Sequence, residues 1–366
     1  MPDPVIVAAR RTPLALRGRA LAGADVGVLG GAVVAAVVAA AGLAPGEGIA
    51  DVVLGNCVGP GGNPGRIAAL AAGLGPAVPG GTVDRQCGSG LAAILDAAAS
   101  VRVDGRPRVA GGVESASTAP ERSRDGVAYT RAPFTPAGFA DPDMLRAAED
   151  LAVRDGIDRA RQDAHAARSH LRAAAAVAAG RFDAEIVAIG AARRDDAIAP
   201  NAAVRERLPA LFPGGTVTAG TSTRIGDGAA AVVVAAGGSG LAIRAGAVVG
   251  VDPALPGIGA APAIEAVLAA AGTSLHDVAA IELVEAFAAQ SIGVLSRLGI
   301  ADDDPRVCAD GGALALGHPW GASGAVAVVR LFSRLVRGGA PAGTIGVAAA
   351  SIGGGMGVAA LVEVVR

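Results

Sequence analysis

The stretch Val83-Asp84-Arg85-Gln86-Cys87-Gly88-Ser89-Gly90 decides the fold, because it turns a strand into a helix at a single cysteine. We predict a short strand over Thr82–Gln86, and Gly90–Val101 have the composition of a buried helix. A sharp strand–turn–helix bend exposes the side chain at its apex. The stretch therefore predicts an α/β protein with Cys87 presented at such a bend.

The position of Cys87 favours nucleophilic chemistry. A thiol at a helix N-terminus faces free N–H groups and the positive end of the helix dipole, so we expect a pKa below the free value of about 8.5. The same N–H groups suit an oxyanion. The alternative is a buried and inert cysteine, which is the usual environment of this residue. Cys57 and Cys308 lack a comparable turn and are predicted to be structural.

Outward from this bend, short Val/Ile runs alternate with longer Ala-rich stretches. The predicted strands are Val5–Ala9, Asp51–Leu54, Val109–Val113, Ala229–Ala235, Ala247–Val251 and Asp277–Leu283. The predicted helices are Val26–Ala41, Ile67–Gly73, Pro262–Ala271, Ala286–Leu298 and Ala325–Val336. This alternation is typical of βαβ units, and strands without polar alternation fit a sheet that is covered on both faces.

The alternation of predicted strands and helices is interrupted by one long segment, and one glycine-turn motif occurs twice. Ser117–Asp143 is rich in Pro, Arg, Asp and Gly, and a charged helical stretch follows at Asp158–Gly180, which places His165 and His170 at the surface in our prediction. A long insertion of this kind is typically functional. Glycine turns at Gly226–Gly228 and Gly353–Gly357 each precede a final apolar strand. This echo indicates two similar halves.

Composition excludes several classes of protein. The 366 residues suffice for about two domains. A hydrophobic content of 52% with 17% charged residues excludes intrinsic disorder. A net charge of -2 with 2% aromatic residues argues against a nucleic-acid partner. Three cysteines do not make a disulfide scaffold, so we expect a reducing, cytoplasmic location.

The uncharged run Val26–Ala44 approaches the length of a bilayer span. It is mostly Ala, Val and Gly, and Ala and Gly gain little from lipid. We therefore predict a buried helix and no membrane partner. Met1–Pro13 lacks the pattern of a signal peptide.

A second chemical candidate is His318, which lies between Gly317 and Pro319. A histidine on such a fixed, irregular backbone is well suited to act as the base that a cysteine nucleophile requires. His276, beside Asp277, is predicted to be a surface residue. The Gly353–Gly357 cluster precedes a strand rather than a helix, which makes a dinucleotide site a weak reading. No spacing typical of metal ligands is found in the sequence.

Together these motifs resemble the thiolases, the biosynthetic and degradative acetyl-CoA acyltransferases, nearly from end to end. The matching segments are Val5–Pro13, Gln86-Cys87-Gly-Ser-Gly90, Gly111-Gly-Val-Glu-Ser115, Thr216–Gly220, Asp227-Gly228-Ala-Ala-Ala, Glu285-Ala-Phe-Ala-Ala-Gln290, Gly317-His318-Pro319 and Gly353-Gly-Gly-Met-Gly357.

The resemblance implies a five-layered αβαβα fold of two similar halves with an inserted loop domain that binds CoA. The expected division is a first half over 1–116 and 216–239, the insertion over 117–215, and a second half over 240–366. It also implies a homodimer or homotetramer. Coenzyme A and acyl-CoA are expected as substrates, with no permanently bound cofactor.

The resemblance further implies roles for individual residues. Cys87 would carry the acyl group as a thioester, His318 would act as its base, and the N–H groups of Cys87 and Gly353 would form an oxyanion hole. The residues expected to contact CoA or substrate are Met144, Thr223, Arg224, Val284 and Phe287. Ser351 would occupy the third catalytic position.

Four positions depart from the family pattern. Ser351 replaces the cysteine that shuttles a proton to the carbon nucleophile, and Val284 replaces an asparagine that anchors a water molecule. Arg224 replaces a glycine, and Asp143 replaces a histidine of the pocket. A hydroxyl is a far weaker acid than a thiol, so we expect an intact acylation step and an altered second half-reaction.

Several functions remain open at this point. The chain is expected to catalyse acyl transfer to a carbon acceptor that needs no strong base, or ordinary Claisen condensation and 3-oxoacyl-CoA thiolysis. The alternatives are acyl transfer to a heteroatom, thioester hydrolysis, or a catalytically retired subunit that binds CoA or a partner.

Overall fold

The computed structural model describes residues 3–46, 48–199, 201 and 207–366. Residues 200 and 202–206, inside the predicted insertion, and Glu47 lie outside this range. The strands are β1 Pro4–Arg11, β2 Ala15–Leu16, β3 Asp51–Gly55, β4 Gly80–Val83, β5 Arg108–Ser115, β6 Arg122–Arg124, β7 Val127–Tyr129, β8 Gly226–Ala236, β9 Gly240–Gly250, β10 Val278–Leu283, β11 Ile345–Ile352 and β12 Met356–Val365.

The helices alternate with these strands. They are α1 Val26–Ala40, α2 Pro64–Ala71, α3 Ser89–Asp104, α4 Met144–Asp155, α5 Arg159–Ala178, α6 Ala260–Ala271, α7 Ala288–Arg297, the single turn α8 Ala313–Leu316, and α9 Trp320–Leu331. A π-helical segment, Phe332–Arg337, continues α9.

The main sheet consists of two similar halves. In the first half the strand order is β4-β3-β5-β8-β1, and in the second it is β10-β11-β12-β9. Each half pairs parallel strands at its outer end and antiparallel strands towards the middle. The halves meet where Val5 and Ile6 of β1 pair with Ala242 and Leu241 of β9. Strands β8 and β12, which carry the glycine echo, occupy equivalent places in the two halves.

Alternating side chains of both half-sheets face different helical layers. On β8, Ala229, Ala231 and Val233 face α1 and α2, whereas Ala230, Val232 and Val234 face the central helices α3 and α9. On β12, Val358, Ala360 and Val362 face the same central helices, and Ala359 and Leu361 face α6 and α7. The order of layers is therefore helix, sheet, helix, sheet, helix, and the predicted α/β architecture is confirmed.

The uncharged run that begins at Val26 forms α1, as predicted. Asp25 caps this helix by accepting the N–H of Val28 at 2.9 Å, and Leu29, Val33 and Val37 are fully buried against the first half-sheet. No helix in the described part of the chain has the length and apolar character that crossing a membrane requires.

Some boundaries differ from the sequence predictions. Helix α4 was not predicted, because its capping residue Asp143 ends a stretch with little periodicity. Strand β9 begins at Gly240 rather than at Ala247, and α9 begins at Trp320 rather than at Ala325. Between β5 and α4 the chain forms a small hairpin of β6 and β7.

The prediction that His165 and His170 are surface residues is wrong. Their exposed fractions are 4% and 5%, because α5 buries a polar face. His165 Nε2 lies 3.2 Å from Glu285 Oε1, and Ser169 donates to the other oxygen of Glu285 at 2.6 Å. His165 and Ser169 stabilise the charge on Glu285, and its pKa lies below its ordinary value although burial acts in the opposite direction.

A buried ion-pair network fastens the segment after α5 to both halves. Glu185 accepts from Arg11 of β1 at 2.7 Å and from Arg330 of α9. The guanidinium groups of Arg11 and Arg330 both lie over the ring of Phe182, 5.1 and 4.5 Å from its centroid. Asp195 accepts from Arg11 as well. Removing one partner from such a network would leave an uncompensated buried charge, so the segment is held firmly beside the central helices.

Candidate active site

Cys87 lies at a strained bend between β4 and α3. The preceding residue, Gln86, has a φ of +47°, which L-residues rarely adopt. Ser89 stabilises the bend, since its hydroxyl donates to Gln86 O at 2.7 Å and accepts from the Arg85 N–H at 2.8 Å. A side chain on Gly88 would meet Ile352 at 2.4 Å, so glycine is required there for the bend to approach β11.

His318 is held by its backbone and by one hydroxyl. Its N–H donates to Arg224 O at 2.9 Å, and the preceding Gly317 has a φ of +93°. His318 Nδ1 lies 2.6 Å from Ser323 Oγ, and that hydroxyl donates to Pro319 O at 3.3 Å. The Ser323 oxygen therefore accepts from Nδ1–H, which leaves Nε2 without its proton and available as a base.

The two chemical candidates meet directly. His318 Nε2 lies 3.3 Å from Cys87 Sγ. Burial lowers the pKa of His318 to about 4 and raises the pKa of Cys87 to about 11. The prediction that the helix N-terminus lowers the pKa of this thiol is wrong, because desolvation outweighs it. At neutral pH the pair consists of a thiol and a neutral imidazole.

Backbone donors surround the sulfur. The N–H groups of Gly353 and of Cys87 itself interact with the sulfur and favour its thiolate, which partly opposes the effect of burial on the pKa of Cys87. Gly353 follows β11 in a turn where Gly354 and Gly355 have φ values of +84° and +81°. Donors that already face the sulfur are placed to face the oxygen of a thioester formed on it.

Ser351 is turned towards a different segment. Its hydroxyl donates to Gly257 O at 2.7 Å and accepts from the Ala260 N–H at 3.0 Å. Gln290 Nε2 lies 3.5 Å from the same oxygen. The single proton of Ser351 is thus directed at the Gly257 carbonyl.

Val284 and Phe287 flank the turn between β10 and α7. Val284 is 5% exposed and packs in the central core, so it offers no polar side-chain group to a substrate. Phe287 is half-buried and packs beside Val217 and Ile292. It also forms an isolated bridge with Ser222, which brings the segment containing Thr223 alongside.

Of the remaining residues predicted to contact substrate, Thr223 and Arg224 bind backbone carbonyls, and Met144 is half-buried. Thr223 already donates its hydroxyl to Ala313 O at 2.6 Å. The guanidinium of Arg224 donates to Ala197 O, and burial together with nearby Arg19 lowers its pKa. Met144 is half-buried as the first residue of α4, and Asp143 caps that helix by accepting the Leu145 N–H.

Glu114, on β5, is a site residue to which the sequence analysis gave no role. Its carboxylate is fully buried and accepts from the N–H groups of Cys57, Val58 and Gly321 at 3.0 to 3.2 Å. Gly321 lies in the first turn of α9, directly after the His318 loop. Glu114 therefore ties this loop to the first half-sheet. Burial raises the pKa of Glu114, although hydrogen bonds from the N–H groups of Gly321, Val58 and Cys57 act in the opposite direction. The motif Gly111–Ser115 was the available signal, since a charged residue in a buried strand needs partners.

The other cysteines and His276 have structural or surface environments, and of these residues Cys57 contacts the bend that carries Cys87. Cys308 is buried, Cys57 Sγ donates to Gln86 O at 3.2 Å, and burial raises the pKa of both thiols. The side chain of His276 is 97% exposed, as predicted. Among the described residues, no cluster of three or more His, Cys, Asp or Glu side chains could hold a metal ion.

Comparison with known proteins gives a consistent result. The model of the thiolase N-terminal domain matches residues 4–237, and that of the thiolase C-terminal domain matches residues 239–364. The chain is 39% identical to the acetyl-CoA acetyltransferase of Pseudomonas aeruginosa over 98% of both chains. It is 42% identical to the 3-ketoacyl-CoA thiolase of Erwinia tasmaniensis over 81% of this chain and 82% of that one.

A solved structure agrees with this result. The crystal structure of the Bacillus anthracis acetyl-CoA acetyltransferase superposes with a TM-score of 0.92 and 34% identity, covering 100% of this chain and 99% of the other. The family models and these relatives identify an acyltransferase with an α/β fold. The chain belongs to the thiolase family.

Proposed function

We propose that the protein is an acyl-CoA acyltransferase that carries its acyl group as a thioester on Cys87. The observation that supports this most directly is the 3.3 Å approach of His318 Nε2 to Cys87 Sγ. The N–H groups of Cys87 and Gly353 at the same sulfur add an oxyanion hole. A nucleophile, a base and two donors thus converge on one point, which is the set of groups that thioester exchange requires.

Acylation follows from these groups. The Cys87 thiol passes its proton to His318 Nε2 as the sulfur attacks the carbonyl carbon of acyl-CoA. The negative oxygen of the tetrahedral intermediate accepts from the N–H groups of Cys87 and Gly353. The bond to the CoA sulfur then breaks, and this sulfur takes the proton from His318. The products are acyl-Cys87 and free CoA.

The second half-reaction is proposed to be altered. The acyl group passes from Cys87 to CoA or to a carbon nucleophile, by 3-oxoacyl-CoA thiolysis or Claisen condensation. Abstraction of a carbon-bound proton needs a base, but the Ser351 hydroxyl is engaged with Gly257 and Val284 has no polar group. These substitutions favour an acceptor that needs no strong base, such as a decarboxylating malonyl unit.

Substrate binding is proposed for the family-matched positions. Met144, Thr223, Arg224, Val284 and Phe287 would contact the substrate or its pantetheine arm, and Ser351 would take the third catalytic position. The insertion over 117–215 would bind CoA. The first half would span 1–116 and 216–239, and the second half would span 240–366. Acyl-CoA is then a substrate, with no permanently bound cofactor.

The edge of the sheet and the cysteine nucleophile support proposals about assembly and location. Strand β4 ends the first half-sheet and leaves one edge for pairing, which supports a homodimer or homotetramer. Light scattering coupled to size-exclusion chromatography tests this, and a monomeric mass would contradict it. A thiol nucleophile must stay reduced, which supports a cytoplasmic location.

Intact-protein mass spectrometry tests the proposed function. The protein is incubated with a panel of acyl-CoA esters that differ in chain length. One acyl mass should be added to the wild type and should be absent from Cys87→Ala. Cys57→Ala is the matched control, since this thiol should not be acylated. No adduct with any ester would contradict the proposal and would favour a catalytically retired subunit. An adduct lost in buffer without any acceptor would favour thioester hydrolysis.

A further inference from the structure

The ring of Phe134 lies directly on the turn that supplies the proposed oxyanion donor. A methyl group placed on Gly353 would sit 2.7 Å from Phe134 Cε2 and 2.9 Å from Cδ2. On Gly354 it would lie 3.3 Å from Phe134 Cβ. The ring therefore covers the peptide backbone beside the amide that faces the Cys87 sulfur.

Phe134 belongs to a segment that is fixed at both ends. Arg131 donates to Asp141 Oδ1 at 2.7 Å, and the Phe134 N–H lies 3.3 Å from Asp141 Oδ2. The Arg131 guanidinium also lies 4.7 Å from the centre of the Phe134 ring. Asp141 thus binds both the cation that stacks on the ring and the backbone of the ring's own residue. A half-buried ring with the Arg131 guanidinium over it and the Gly353 turn against its edge is suited to exclude solvent.

We propose that Phe134 determines acceptor specificity by keeping water away from the acyl group on Cys87. This inference rests on the proposed function. A thioester facing His318 Nε2 is exposed to attack by any water molecule that the base can activate. An apolar ring beside the oxyanion donor removes space for that water, so that the acyl group persists until the intended acceptor arrives.

The reaction that the ring suppresses is hydrolysis of the thioester on Cys87. The water oxygen bonds to the carbonyl carbon, and one water proton passes to His318 Nε2. The bond between the carbon and Cys87 Sγ then breaks, and this proton moves to the sulfur. The products are a carboxylic acid and the free thiol, with no oxidant or cofactor consumed. Opening space beside Gly353 should accelerate this route more than transfer to CoA, because a CoA thiol brings its own binding contacts.

The test measures the lifetime of the acetyl-enzyme. Wild-type protein is loaded with acetyl-CoA, freed of CoA by gel filtration, and followed by intact-protein mass spectrometry with and without added CoA. Phe134→Ala should lose its acetyl group in buffer about tenfold faster, which corresponds to about 1.4 kcal/mol in the barrier. Its rate of CoA-dependent deacylation should change far less. Phe134→Leu should fall between the two, because it keeps most of the apolar volume.

A matched control lies in the same segment. Phe139 is 65% exposed, so Phe139→Ala should leave the lifetime unchanged. Asp141→Ala removes the acceptor that positions Arg131 and Phe134, and it should shorten the lifetime as Phe134→Ala does. The inference would be overturned if the acetyl-enzyme of Phe134→Ala lived as long as that of the wild type. It would also be overturned if Phe139→Ala shortened the lifetime as much as Phe134→Ala does. Either result would leave the proposed function intact. If the wild type forms no acetyl-enzyme, both fail together.

Discussion

The hydroxyl of Ser351 lies 2.7 Å from the carbonyl oxygen of Gly257 and donates its only proton there. The same oxygen accepts the N–H of Ala260. Ser351 therefore links the end of β11 to the start of α6. The proposal of an altered second half-reaction rests on this engaged proton and on the weak acidity of a hydroxyl compared with a thiol.

Ser351→Cys is expected to raise the rate of acetoacetyl-CoA thiolysis by about tenfold or more, since a thiol with a pKa near 8.5 exchanges protons far more readily than a hydroxyl. The rate is measured as loss of the 3-oxoacyl-CoA absorbance in the presence of CoA. Ser351→Ala is the matched control and should form the acyl-enzyme normally. Equal thiolysis by the wild type and Ser351→Cys would show that the argument about the proton shuttle is wrong.

Ser323 is expected to be a positioning residue that acts through His318. Ser323→Ala removes the acceptor of Nδ1–H at 2.6 Å, so the ring can turn or change tautomer and present the wrong nitrogen to Cys87. The rate of Cys87 acylation should fall by about 10- to 100-fold. Stopped-flow measurement of CoA release in a single turnover gives this rate, and its dependence on pH separates a positioning role from a structural one.

Ser291→Ala provides the comparison for that variant. Ser291 is fully buried, and its hydroxyl has no hydrogen-bond partner within the described residues. Its removal should leave the acylation rate unchanged. A similar fall of the acylation rate in both variants would indicate that small cavities in this fold disturb the site generally. The positioning role of Ser323 would then be contradicted.

Much of this architecture follows from the sequence, because short Val/Ile runs and longer Ala-rich stretches alternate clearly along the chain. The apolar runs Val109–Val113 and Ala229–Ala235 were predicted to be strands of a sheet covered on both faces, and they lie inside β5 and β8. The bend at Cys87 was readable from its flanking glycines, and the pairing with His318 was predicted from the chemistry that each side chain needs. The roles assigned to Cys87, His318, Ser351 and Gly353, and to the substrate-binding residues, stay predictions.

Other features could not be predicted, for identifiable physical reasons. Helix α5 buries Gln162, His165 and Ser169, so its inner face looks like a solvent-exposed one until Glu285 is brought against it. The pKa of Cys87 depends on how much water surrounds the sulfur, which sequence does not specify. The helix N-terminus was visible in the sequence, but the desolvation that outweighs it arises from distant segments such as β11.

Glu114 should contribute strongly to stability. Glu114→Ala removes the acceptor of the buried Gly321 N–H, of the part-buried Cys57 and Val58 N–H groups and of one Asn56 amide proton, and each buried unsatisfied group costs about 1–3 kcal/mol. We expect the free energy of unfolding to fall by at least about 3 kcal/mol, measured by urea titration followed by circular dichroism. Glu114→Gln keeps one acceptor oxygen and should lose less. Glu121→Ala, at an exposed position, should be neutral, and similar stability of Glu114→Ala and wild type would contradict this account.

Because Cys87 and His318 are both neutral at neutral pH, the rate of Cys87 alkylation should depend on pH in a defined way. Iodoacetamide reacts with a thiolate, and burial raises the pKa of Cys87 to about 11, so its alkylation rate should keep rising with pH beyond 9. The folded protein holds this proton more tightly than the unfolded chain, whose thiol has a pKa of about 8.5. The resulting stabilisation is present below that value and is lost as pH rises through about 11.

Peptide mapping by mass spectrometry separates alkylation of Cys87 from that of half-buried Cys57. In Cys87→Ser the free energy of unfolding should lose the alkaline decline that this thiol causes. A rate that reaches its plateau near pH 7 would instead mean that sulfur and imidazole form an ion pair. In that case the helix N-terminus would outweigh desolvation, and acylation would begin from a thiolate without proton transfer to His318.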